Sequence, residues 1–158
     1  MTRLTKLGIG HRGILDTLAR RLRDDWHPAA LSTELAYSDA LAAHLRALLP
    51  EDSRVEREYR HDGTTCDVCV RYRGMLSSDM VLIEVKRNLR RKSDYDRLVG
   101  QIEGLKPGKN SIILVLVGET DPALLGRLQD QFEDELDEDS DALRIVVVKQ
   151  ESPPPPSS

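Results

Sequence analysis

Thr65-Cys66-Asp67-Val68-Cys69-Val70-Arg71-Tyr72-Arg73, a turn from Gly74 to Asp79, then Met80-Val81-Leu82-Ile83-Glu84-Val85-Lys86 is the stretch that decides the fold. Both flanks are rich in Val and Ile, and the break between them has turn chemistry, so the stretch predicts a β-hairpin. Alternate residues of a strand share a face. Val81, Ile83 and Val85 therefore point into a core, and Leu82, Glu84 and Lys86 point the other way. On the partner strand Val68, Val70 and Tyr72 share one face and Asp67 lies on the opposite one. When the apolar faces coincide, Asp67, Glu84 and Lys86 share the other.

A carboxylate and an ammonium in the middle of an apolar strand are expensive to bury without a purpose. Two carboxylates suit a hard cation such as Mg2+, which takes oxygen ligands. Such an ion polarises a phosphodiester and acidifies water, and a lysine beside it steadies the charge that grows on the phosphate.

Asp67, sixteen intervening residues and then Glu84-Val85-Lys86 resembles the D…(D/E)-x-K signature of the PD-(D/E)XK nuclease superfamily, the restriction-endonuclease-like fold. Cys66 stands where that family usually has proline. The resemblance implies an α/β domain with an αβββαβ core, a central mixed sheet flanked by helices, and an extra N-terminal helix in this chain. It implies a Mg2+-dependent phosphodiester hydrolase, with Mn2+ as a substitute ion. Asp67, Glu84 and the Val85 carbonyl would hold the metal, and Lys86 would activate water or stabilise the pentavalent phosphate. It implies nucleic acid as substrate, DNA before RNA, an endonuclease before an exonuclease, and a homodimer as one way for so small an enzyme to work. The alternative is an inactive module of the same fold that binds nucleic acid or protein. An unrelated α/β domain would instead leave the Asp67 and Glu84 carboxylates far apart.

Downstream, Lys86-Arg87-Asn88-Leu89-Arg90-Arg91-Lys92 holds five bases in seven residues. Beside an acidic pair, Arg87, Arg90, Arg91 and Lys92 are candidates to hold a phosphate backbone, gaining affinity by counterion release. A helix follows from Ser93 to Leu105, ended by Pro107-Gly108, with Leu98, Ile102 and Leu105 inward and Tyr95 and Gln101 beside them. The family often places a glutamine on this helix facing the active site, and Gln101 fits that place. Upstream, Ser32 or Thr33 caps a helix that runs to Leu49 and closes at Pro50. Its expected apolar stripe is Leu31, Leu35, Leu41, Leu45, Leu48 and Leu49. Glu34 sits at the edge of that stripe, where the family often carries a glutamate that assists through a metal-bound water; Glu34 is thus a further ligand candidate.

Residues 11–26 predict an amphipathic helix on Ile14, Leu15, Leu18 and Leu22. Residues 54–60 predict a strand, Ile112–Val117 a strand covered on both faces, Asp121-Pro122 a helix start continuing to Leu136, and Leu143–Val148 a last strand. The expected organisation is a helical extension over 1–29, the nuclease-like domain over 30–149, and a Pro/Ser tail over 150–158 without fixed structure.

The net charge of −4 argues against a polyanionic partner only if the charge is evenly spread. It is not: residues 130–141 hold eight acids and no base, leaving 23 bases against 19 acids, a balance of +4. There is no apolar run of membrane-spanning length and no apolar segment of the signal-peptide kind at the N-terminus, so the expected location is the cytoplasm. Cys66 and Cys69 have C-x2-C spacing, but residues three apart on a strand face opposite ways. They read as two small strand residues rather than a zinc, redox or disulfide pair.

Overall fold

The computed structural model describes residues 13–73, 78–107 and 110–148. The elements are α1 (Gly13–Asp25), α2 (Glu34–Leu48), β1 (Arg54–His61), β2 (Thr64–Arg73), β3 (Ser78–Arg87), α3 (Lys92–Leu105), β4 (Ser111–Val117), α4 (Pro122–Gln131) and β5 (Leu143–Val147). The expected αβββαβ order is found, with α1 before it and α4 and β5 after it. The turn expected over Gly74 to Asp79 has residues 74–77 outside the described ones, and the Pro/Ser tail lies outside them entirely. Among the described residues no helix is long and apolar enough to cross a membrane.

The five strands form one mixed sheet in the order β1-β2-β3-β4-β5. The first three are antiparallel neighbours; β3 with β4 and β4 with β5 run parallel. Each face buries its own core. On one, α1 and α2 bring Ile14, Leu18, Leu22, Tyr37, Leu41 and Leu45 onto Val68, Val70, Val81, Ile83, Val85, Ile113 and Val115. On the other, α3 and α4 bring Leu98, Ile102, Leu105, Leu124, Leu128 and Phe132 onto Leu82, Ile112, Leu114 and Leu116. The alternation in β3 and the continuous apolar run of β4 are thus two sequence patterns of one three-layer packing. The N-terminal helix shares a core with α2 rather than standing apart from the sheet.

Local chemistry sets the helix ends. The Thr33 hydroxyl accepts from the Ala36 N–H at 3.1 Å, and the Asp121 carboxylate accepts from Ala123 N–H at 2.8 Å with Pro122 next in line. Two expectations need correction. Leu35 is 57% exposed rather than part of the α2 stripe, because Tyr37, Ser38, Leu41, Ala42, Leu45 and Leu48 fill the buried arc. Helix α4 ends at Gln131, not Leu136, and residues 132–136 form turns. Glu133, Asp134 and Glu135 crowd negative charge onto the negative end of the helix dipole, while buried Phe132 stays anchored.

A third correction concerns the pleat of β1 and β2. The register pairs Arg57 with Val68 and Tyr59 with Cys66, but Glu58 and Asp67 between them are not paired. Glu58 has φ of 54°, the left-handed region that a non-glycine residue enters reluctantly. On either side of this break the faces exchange. Val55 and Val68 pack toward α1 and α2, whereas Tyr59 and Cys66 pack toward α3 and α4. Cys66 and Cys69 therefore lie in the same core layer, contrary to simple alternation. Both are buried free thiols, and burial pushes Cys66 up to about 12 and Cys69 up to about 11.

Candidate active site

The pleat break coincides with a fork between β2 and β3. Their pairing extends as far as Val68 with Ile83, and Asp67 and Glu84, next in that register, are not paired. The Asp67 side chain takes over: its Oδ2 accepts from the Val85 N–H at 2.8 Å. A backbone donor of β3 is thereby satisfied by a carboxylate instead of a ladder carbonyl. Arg57 steadies the other side of Asp67, donating to its carbonyl from Nη1 and to Asp39 on α2 from Nε at 2.9 Å.

Glu84 is 5% exposed. Its Oε2 is buried and has no hydrogen-bond partner among the described residues. Burial, then the Asp67 carboxylate beside it, push the Glu84 carboxyl up to about 10, and Glu34 adds to the same direction. Two carboxyl groups side by side in a dry setting are stable together only with a shared proton or a cation. They are not far apart, as an unrelated α/β domain would have left them.

Lys86, two residues on, turns its ammonium to the helix ends that converge at the C-terminal end of β3. Nζ lies 3.1 Å from Glu34 Oε1 and 3.7 Å from Asp94 Oδ1. Glu34 is the first residue of α2, and its Oε1 also accepts from the Arg87 N–H at 3.3 Å. Arg87 Nε in turn donates to the Leu31 carbonyl at 3.2 Å. The end of β3 is thus laced to the start of α2, so that Glu34 and Lys86, distant in sequence, are held together.

The other candidates are placed less centrally. Gln101 Nε2 donates to the Thr65 carbonyl at 3.1 Å, two residues before Asp67, and so joins α3 to β2 rather than to the charged groups. One turn on, a Cβ at Gly104 would collide with Thr64 Oγ1, which shows how closely α3 approaches β2 here. In the basic run, Arg87 is committed to Leu31, Arg90 pairs with Glu119 at 3.1 Å, and Lys92 pairs with Asp96 at 2.8 Å. Arg91 is exposed at the N-cap of α3. Exposed pairs of this kind are worth little, about 0–1 kcal/mol, so a phosphate displaces them at small expense.

Among the described residues no three His, Cys, Asp or Glu side chains are grouped to hold a metal ion. The fit rests on two: the unpartnered Glu84 oxygen and the Asp67 carboxylate beside it. Mg2+ is commonly held by one or two carboxylates with water completing the octahedron, so this pair suits it, with the Val85 carbonyl as the expected third oxygen. The sequence alone does not single out Asp94. An acid in the first turn of a helix is ordinarily explained by the helix dipole, and its only signal is its place just after the strand that carries Lys86.

No family model matches this chain, and no curated protein matches it. Among solved structures, the DNA modification-dependent restriction endonuclease AspBHI is similar over 85% of this chain, at TM-score 0.40 and 14% sequence identity. The match covers 31% of AspBHI, so this chain spans about a third of that protein's length. A likeness that loose carries no chemistry from one protein to the other.

Proposed function

We propose that this chain is a divalent-metal-dependent nuclease that hydrolyses phosphodiester bonds of nucleic acid, DNA before RNA and internal bonds before ends. The observation that carries the proposal is Glu84, a buried carboxyl with an unpartnered oxygen set against a second carboxylate, two residues before a half-buried lysine. A purely structural sheet gains nothing from this arrangement, since burying the charge costs several kcal/mol. A Mg2+ ion would supply the missing positive charge and polarise the phosphodiester. Asp67 and Glu84 would hold that charge in place, Asp67 turning to the ion from the orientation that its bond to the Val85 N–H gives it. Lys86 presents a cation with three donors; Glu34 takes one in a hydrogen bond and Asp94 lies in ion-pair range, which leaves donor capacity for a phosphate oxygen or the attacking water. Glu34 keeps that cation at the mouth of the site. Arg91, together with Arg90 and Lys92 once their exposed partners let go, meets the flanking phosphates.

The test is cleavage of a panel of single-stranded, duplex and branched DNA and of RNA, with Mg2+ or Mn2+, for wild type, Asp67→Ala and Lys86→Ala. The expected result is metal-dependent cutting that falls by about 10³-fold or more in both variants while both remain folded. Cutting by Asp67→Ala at the wild-type rate would sink the proposal. Tight metal-independent binding without cutting would favour the inactive module.

A further inference from the structure

Two lysine–aspartate pairs lie at the start of α3, and they are unlike. Lys92 and Asp96 are four apart on the helix surface, with side chains 70% and 55% exposed. Lys86 and Asp94 link β3 to the first turn of α3, with side chains 18% and 26% exposed. An aspartate that serves only the helix surface stays in water, as Asp96 does just beyond the first turn. Asp94 instead turns inward to the strand. Nor is it recruited as a cap: the N-cap is Arg91, whose side chain makes no capping bond.

The Lys86 ammonium therefore stands between two carboxylates from opposite sides of the sheet, Glu34 on α2 and Asp94 on α3. A lysine is a compact charge on a flexible stem. One contact leaves that stem free to swing; a second from the other layer restricts its arc. We infer that Asp94 is a positioning residue which, opposite Glu34, aims the Lys86 ammonium at the space beside Asp67 and Glu84. The inference rests on the nuclease reading of that site. Asp94 touches neither Asp67 nor Glu84 through any described hydrogen bond or ion pair, so its part is to hold the lysine and not to meet the substrate.

The test is steady-state cleavage by Asp94→Asn and Asp94→Glu beside wild type, with thermal unfolding of each. Partners that orient a catalytic group typically contribute 10–100-fold. The expected outcome is a fall in kcat of about that size for Asp94→Asn, with KM and the Mg2+ concentration for half-activation within about twofold. Asp94→Glu, which keeps the charge, should recover a substantial part of kcat. A lower unfolding temperature with unchanged kcat would reduce Asp94 to a helix-dipole residue and overturn the inference. Equal loss in Asp94→Asn and Asp94→Glu, or a loss seen in KM alone, would overturn it as well. Absence of cleavage by wild type on every substrate would overturn the nuclease reading itself, whereas active wild type with an indifferent Asp94→Asn overturns the Asp94 assignment alone.

Discussion

Two adjacent strands pass through the same depth of the sheet and carry opposite chemistry. The register sets Glu84 of β3 against Leu114 of β4, and Lys86 against Leu116. All four residues belong to the face covered by α3 and α4, where Leu114 and Leu116 are buried in the apolar core. Strand β4 is what this sheet looks like when stability alone selects its residues. Strand β3 departs from that pattern at two positions, and there β2 forks away, Asp67 caps the buried N–H of Val85 that the ladder leaves, and two helices deliver Glu34 and Asp94 to Lys86. The contrast shows where the molecule gives up packing in exchange for a charged site.

The most drastic way to break the contrast is from the leucine side. Leu114→Ala leaves a cavity in a dry layer and should destabilise the protein by about 2–5 kcal/mol, read by urea unfolding, with residual folded protein still binding metal. A destabilisation well under 1 kcal/mol would mean that β4 is not the stability element it is taken for.

Glu84→Gln sharpens the contrast from the other side, with the opposite sign. The folded-state value of Glu84 is raised from 4.5 to about 10. Without metal, the folded protein binds a proton more tightly than the unfolded chain does. Its contribution is therefore full below about pH 4.5 and declines as pH rises toward about 10. The neutral amide removes that decline, so at pH 8 the metal-free variant should be more stable than wild type by about 1–3 kcal/mol, while cleavage is lost. The same linkage predicts that Mg2+ raises the wild-type unfolding temperature more at pH 8.5 than at pH 6, because metal and proton compete for one carboxylate. A Mg2+ shift independent of pH, or larger at pH 6, would separate the metal from Glu84.

The smallest effect belongs to a position that resembles the core only on paper. Leu35→Glu, on the exposed side of α2, should change stability by no more than about 0.5 kcal/mol. A cost of 2 kcal/mol or more would show that this surface is covered by something.

Much of this was legible in the residues. The alternation Val81-Ile83-Val85 against Leu82-Glu84-Lys86 gave both faces of β3, and the six-residue apolar run from Ile112 gave a strand buried on both. What alternation could not give was the exchange of faces at Glu58 and Asp67. A strand pattern carries a period, and a break that shifts two paired strands together leaves their register intact while reversing every side chain beyond it. Simple alternation puts Cys66 and Cys69 on opposite faces for that reason. The charged site was half legible. Asp67, Glu84 and Lys86 announce themselves by standing in an apolar hairpin, and the structure brings Glu34 to Lys86 as well. Asp94 and the inward pull on Arg87 were hidden, because a first-turn acid and a base in a basic loop each have an ordinary explanation. Gln101 illustrates the converse: its bond to the Thr65 carbonyl ties it to the strand two residues short of the acidic pair.

The bond from the Val85 N–H to Asp67 also makes the protein its own reporter. A ladder amide in the middle of a sheet exchanges its hydrogen with deuterated solvent only when the strands separate, but this one is shielded by a side chain that the proposed nuclease site also needs for its metal. On the proposed reading, an incoming cation would turn the Asp67 carboxylate toward itself, and the shield would weaken without any strand parting. Val85, one residue in a well-protected strand, should then show a solvent-exchange rate that rises with divalent ion while its neighbours Val81 and Ile83 stay slow. A backbone hydrogen becomes the clock for a side-chain motion, and loading of the site can be followed in the absence of any substrate.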